Sequence, residues 1–133
     1  MKTKKIAATV LALVMSLSFA VSAFADSASF SSKTIKGGPS QRIAAGLEVT
    51  KTQVSVTVSS LTFNKITNGA KSVSFRAYFG TNACTGLITF TGTGIKTSGY
   101  TVSVPMGAPL NIKASIPSTE PTDYATFSGS ISN

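Results

Sequence analysis

The chain has 133 residues, with 12 Lys and Arg against four Asp and Glu, no His, no Trp and one Cys. Without histidine there is no imidazole general base and no metal site built on imidazole, and a single cysteine supplies neither an internal disulfide nor a thiolate cluster. The length suits one domain with its own core and is too short for two.

The N-terminus reads as an export signal. Lys2, Lys4 and Lys5 form a basic start, Ile6 to Phe19 is an apolar run of 14 residues, and Ala23-Phe24-Ala25 places small residues where a signal peptidase cuts. About 20 uncharged residues also suffice to span a bilayer. Ser16, Ser18 and Ser22 dilute this run, however, and no cluster of Lys or Arg follows to stop transfer. The prediction is therefore a cleaved helical signal peptide over 1–25 and a mature domain over 26–133. The product is expected to be secreted by a bacterial route and released, or held loosely at the cell surface. Cys84 lies too far from the cleavage site to carry a lipid at a new N-terminus. The mature span of 108 residues holds nine basic and four acidic side chains, a net charge of +5.

Seventeen Ser and 16 Thr supply most of the polar surface of 26–133, and Val, Ile and Phe occupy the apolar positions, a composition for strands rather than helices. In chain order the predicted strands are 28–36, 43–50, 52–59, 61–67, 72–80, 86–96, 99–104, 109–116 and 124–132. The second is weakened by Ala44-Ala45-Gly46, where a short helix or irregular crossover is the alternative. Period-2 alternation is clearest at Val54, Val56 and Val58, and again at Val73, Phe75, Ala77 and Phe79. It returns at Tyr100, Val102 and Val104, and at Leu110, Ile112, Ala114 and Ile116. Turn signals recur at the spacing of a sandwich or barrel. Asn68-Gly69 predicts a hairpin, and a three-residue loop through Ala70 would set Phe63 opposite Phe75 with one face apolar. Ser59-Ser60 then marks a parity change, by a bulge or corner, between Val58 and Leu61. The predicted fold is all-β, a single antiparallel β-sandwich of seven to nine short strands. Its expected core is Val54, Val56, Val58, Phe63, Phe75, Phe79, Val102, Val104, Leu110 and Ile112.

Residues for catalysis are few. Glu120 and Asp123, three apart in a Pro-flanked segment, could flank a sugar in a hydrolase, with Glu48 as a further acid. The same segment reads more simply as a polar loop, and two carboxylates make a poor cation site. No Gly-x-Ser-x-Gly elbow occurs, and Gly92-Thr93-Gly94 has no helix pattern after it to complete a phosphate loop. The expectation is no enzyme, no cofactor and no metal.

Cys84, in a loop of small residues, is expected either to be an inert buried thiol or to link a homodimer by an intermolecular disulfide. The basic residues Lys33, Lys36, Arg42, Lys51, Lys65, Lys71, Arg76, Lys96 and Lys113 are spread singly along the chain. Their plain reading is solubility and protection of strand edges. Their functional reading is attraction to an anionic cell-envelope or matrix polymer, with Lys65, Lys71, Arg76 and Tyr78 as the candidate contacts. Nucleic-acid binders cluster basic residues among aromatics, a pattern that only Arg76-Ala77-Tyr78 approaches, so no specific nucleic-acid partner is expected. No transmembrane anchor is expected after cleavage.

Phe30-Ser31-Ser32-Lys33-Thr34-Ile35-Lys36 soon after the signal, the Val73-to-Tyr78 strand and the closing Ser128-Gly129 resemble a group of small uncharacterised secreted proteins of bacilli. The resemblance implies a small secreted β protein and carries over no catalytic residue. The sequence thus points to a non-enzymatic extracellular binding or envelope-associated module. A secreted antimicrobial or competition protein is the alternative, and a small hydrolase ranks below both.

Overall fold

The computed structural model describes residues 26–64, 66 and 71–133. The expected signal at 1–25, the Asn68-Gly69 turn and Lys65 lie outside the described residues. Nine strands form: β1 (Ser27–Lys36), β2 (Gln41–Glu48), β3 (Gln53–Asn64), β4 (Val73–Phe79), β5 (Asn82–Ala83), β6 (Ile88–Phe90), β7 (Gly94–Gly99), β8 (Pro109–Ser115) and β9 (Tyr124–Ser132). They make two antiparallel sheets, one in the order β1-β9-β3-β7 and the other β2-β8-β4-β5, with β6 also on β4. The predicted all-β, two-layer antiparallel architecture is what forms.

The alternating valines, isoleucines and phenylalanines of both sheets meet between the layers. Phe75 is the centre of an aromatic cluster: its ring lies 5.2 Å from Phe127 and 5.7 Å from Phe90, both edge to face, and 6.1 Å from Phe30, stacked. Val54, Val56, Val58, Leu110, Ile112 and Ile131 close around it, and the buried cluster runs from Phe30 to Ile131. All of that core lies within 26–133, so this span holds the hydrophobic centre that a domain folding alone requires.

One expectation about pairing, three about strand bounds and one about the core need correction. Phe63 and Phe75 do not face each other, because β3 and β4 belong to different sheets. Phe63 pairs with Ala125, while Phe75 stands between Ala114 and Ile88. The predicted strands 52–59 and 61–67 are one strand, β3, with a bulge between Val58 and Ser60 at the parity change read from Ser59-Ser60. The predicted strand 86–96 breaks at Thr91–Thr93 into β6 and β7, and of the predicted strand 99–104 only Gly99 is in a strand, the end of β7, the rest being irregular apart from a Thr85–Tyr100 bridge. Val102 is accordingly 50 % exposed, and Phe79, at the last position of β4, is 38 % exposed. Phe63 and Val104 are half-buried at the margin of the core.

The weak strand signal at Ala44-Ala45-Gly46 has a structural cause. β2 pairs with β8 through two register shifts, between Arg42 and Ala44 and between Ala44 and Leu47. Gly46 sits in the second with φ +71, a left-handed conformation that glycine adopts without the Cβ clash. The two shifts cancel in parity, so Arg42 faces out while Leu47 remains 2 % exposed in the core.

Candidate functional site

The register sorts five of the basic residues into two groups. Lys33 on the edge strand β1 pairs with buried Phe127, so it occupies an inward row at the sheet margin. Lys96 on the opposite edge strand, β7, pairs with buried Val56. Its ammonium donates to the Thr89 carbonyl at 2.6 Å and lies 5.3 Å from the centre of the Phe90 ring. An inward-row lysine on an edge strand blocks the approach of another strand. β1 adds a bulge between Phe30 and Lys33, where Ser32 takes φ +46 and its N–H donates to Ser128 Oγ at 2.8 Å.

The second group runs from the edge strand of the other sheet into its interior. Arg42 on β2 is directly opposite Lys113 on β8, and Lys113 is directly opposite Arg76 on β4. Directly paired residues project to the same face, and the neighbours Ile112, Ala114, Phe75 and Ala77 are buried, so all three cations stand on the outer face. At about 5 Å per strand, the row spans roughly 10 Å at right angles to the chain direction. Like charges directly opposite each other weaken a sheet. Edge protection does not explain Lys113 and Arg76, because β8 and β4 are interior strands.

Two of the three side chains are held in place. Arg76 Nε donates to the Thr85 carbonyl at 2.9 Å, which leaves the two terminal amino groups of its planar fork for a ligand. The Lys113 ammonium lies 4.7 Å from the centre of the Tyr78 ring. Thr85 is itself buried and its hydroxyl accepts from the Ala77 N–H at 3.1 Å, so the carbonyl that fixes Arg76 belongs to a rigid segment. Rows of neutral polar groups flank the cations. Thr89, Ser74 and Ser115 pair on one side, with Ser74 Oγ and Thr89 Oγ1 2.8 Å apart, and Tyr78 and Asn111 pair on the other. Glu48, opposite Pro109, is two rows farther along β8, about 14 Å from Lys113 at 3.4 Å per residue. No cavity opens among the described residues, and the ledge is the open outer face of a sheet.

The other sequence candidates fall elsewhere. Of the four residues named as anionic contacts, Arg76 and Tyr78 share the ledge. Lys71 is exposed ahead of β4 and outside the row, and Lys65 is outside the described residues. Arg42 and Lys113 were not singled out in the sequence, because only strand register makes them neighbours of Arg76. Glu120 is exposed, whereas Asp123 is 2 % exposed and accepts from Ser118 Oγ at 2.6 Å. Ser118 Oγ also accepts from the Glu120 N–H, and Gly37 and Gly38 donate to the Asp123 and Ser118 carbonyls, both at 2.9 Å. Asp123 therefore organises its own loop, and its carboxylate shares no cleft with Glu120.

Cys84 is 0 % exposed. Its N–H donates to the Ala77 carbonyl and its carbonyl accepts from the Thr101 N–H, each at 2.9 Å. Burial pushes its thiol above the ordinary range, against smaller lowering contributions from the backbone N–H groups of Cys84 and Phe79. A disulfide to a second copy would require this segment to open. Tyr100 is raised likewise by burial, with a partial offset from its bond to Asn133 and a small addition from Cys84. Searches with the chain find no matching family model, no matching curated protein and no matching solved structure.

Proposed function

We propose that this protein is a small exported, non-enzymatic module that holds anionic material of a cell envelope or extracellular matrix against the outer face of its β2-β8-β4 sheet. The observation that carries this reading is the Arg42–Lys113–Arg76 row, three cations in direct register across β2, β8 and β4, where their mutual repulsion weakens the sheet. The N-terminal signal pattern and the +5 charge of 26–133 agree with an extracellular role. An open cationic ledge suits a polymer or surface, which binds through many weak contacts at once, rather than a small molecule that needs enclosure.

The test is co-sedimentation of 26–133 with intact bacterial cells at low and high salt, beside the double variant Arg42→Gln/Lys113→Gln. Binding at low salt that falls as salt rises, and that drops at least tenfold in the double variant, is the expected outcome. Binding unchanged in the double variant would reject the ledge, and no binding at low salt would reject envelope association altogether.

A further inference from the structure

The rows on either side of the cations say more about the ligand than charge alone does. The outward residues beside the row on β4, β8 and β6 are hydroxyls, a phenol and an amide: Ser74, Ser115 and Thr89 on one side, Tyr78 and Asn111 on the other. A surface meant only to attract negative charge needs no such borders. Two arginine forks and a lysine each match one singly charged oxyanion, and Arg76 presents its fork from a fixed position. Hydroxyl and amide groups about one row away, roughly 7 Å along the strands, match uncharged hydroxyls on a ligand of some width.

Nucleic acid fits this ledge poorly. Its single-stranded forms need exposed aromatic faces for the bases. Tyr78 is the one aromatic in these rows, and the Lys113 ammonium already occupies a face of its ring.

From this geometry we infer that the ledge recognises a linear polyanion of hydroxyl-bearing units, a polyol or sugar chain carrying phosphodiester or carboxylate groups, laid across the strands along Arg42, Lys113 and Arg76. This rests on the proposed anion-binding function and names its ligand class. The cations take successive anionic groups, and the flanking Ser115 and Asn111 exchange hydrogen bonds with the hydroxyls between them.

Titration calorimetry of 26–133 against four polymers matched in charge number tests it. Poly(glycerol phosphate) and polygalacturonate carry hydroxyls and distinguish phosphodiester from carboxylate. Inorganic polyphosphate carries charge without hydroxyls, and oligo(dT) carries phosphodiesters with bases. One or both hydroxyl polymers are expected to bind more tightly than polyphosphate and oligo(dT). Ser115→Ala and Asn111→Ala are each expected to weaken that binding about fivefold, with polyphosphate binding unchanged and unaltered unfolding midpoints showing that both variants fold. Equal binding of polyphosphate, with no effect of the two variants, would overturn the hydroxyl reading and leave the anion-binding function standing. Tightest binding of oligo(dT) would overturn it in favour of nucleic acid. Arg42→Gln/Lys113→Gln leaving every polymer's affinity unchanged would instead overturn the function on which it rests.

Discussion

Asn133 is a latch whose strength can be worked from its partners. It is 2 % exposed, and its side-chain oxygen accepts the Thr50 N–H at 2.6 Å and the Lys51 N–H at 2.7 Å, while its amide nitrogen donates to the Tyr100 hydroxyl. One side chain therefore ties the β2–β3 connection and the segment after β7 to the end of β9. Its backbone bonds, from its N–H to Asp26 O and from Thr50 Oγ1 to its carbonyl, survive any substitution. Asn133→Ala thus removes three side-chain hydrogen bonds of about 1 kcal/mol each. Water reaches the exposed Thr50 and Lys51 and recovers part of that, so the expected loss is about 2 kcal/mol, a large share of the roughly 5–15 kcal/mol that holds a domain together. Asn133→Asp keeps the acceptor for both N–H groups and can accept from the Tyr100 hydroxyl, so its loss should be about half as large. Urea unfolding of 26–133 at neutral pH measures both losses, and thermal unfolding should show a fall of about 10 °C in Tm for the alanine variant. A loss under about 0.5 kcal/mol for alanine, or equal losses for alanine and aspartate, would refute the reasoning.

Gly129→Ala should cost at least about 2–3 kcal/mol, because a Cβ there would lie 1.9 Å from the Thr57 carbonyl oxygen, whereas Gly92→Ala, with open space around it, should stay within about 0.5 kcal/mol; equilibrium unfolding compares them. Cys84 should resist a thiol-specific reagent in the native protein and react only at the rate of opening, which a time course with and without denaturant would show. Cys84 and Tyr100 both have folded-state pKa values raised by burial, so the folded state holds these protons more tightly than the unfolded chain. Their stabilisation is complete below the ordinary thiol pKa, about 8.5, and is lost as pH rises through the raised folded values; urea midpoints falling from pH 8 to 11, and falling less in Cys84→Ala, would show it. Arg42→Thr relieves one like-charge pair and should raise stability by about 0.2–0.5 kcal/mol at low salt, a gain that 1 M salt erases; a destabilised variant at low salt would count against the row as a cost to the fold.

The elements were largely legible in the sequence, and their pairing was not. Val54, Val56 and Val58 alternate, are buried as the alternation requires, and reach Leu61 through a bulge at the serine pair. Alternation, however, records which face is buried and not which strand lies alongside. Six of the eight connections between successive strands cross from one sheet to the other, so the local hairpin that Asn68-Gly69 suggested would join β3 and β4, which belong to different sheets. The same topology hid half of the candidate site. Arg76 and Tyr78 lie close together in the chain and drew notice. Arg42 and Lys113 are remote from them in sequence, and only pairing through β8 makes them neighbours. Phe79 and Val102 failed as core residues for a different reason. Phe79 ends β4 at the margin of the core, and Val102 lies in a segment that forms no strand, so alternation does not set which way it faces.

The same residue type therefore has different meanings at different places in one fold. Lys33 and Lys96 belong to edge strands, in rows that otherwise hold core residues, where a charge keeps other strands from adding to the sheet. Their positions account for them without any ligand. Lys113 is on a strand paired on both sides, so no edge exists for it to protect. Its partners across the sheet are both arginines. Threonine or serine at that position would satisfy the strand, keep the face soluble and avoid the repulsion. Solubility alone explains scattered cations, and it explains least well the three that stand side by side. An anion laid along the row removes the repulsion and gains the contacts, so the bound state and the fold then favour the same arrangement. That is the physical argument for reading the ledge, rather than the overall charge, as the working surface of this protein.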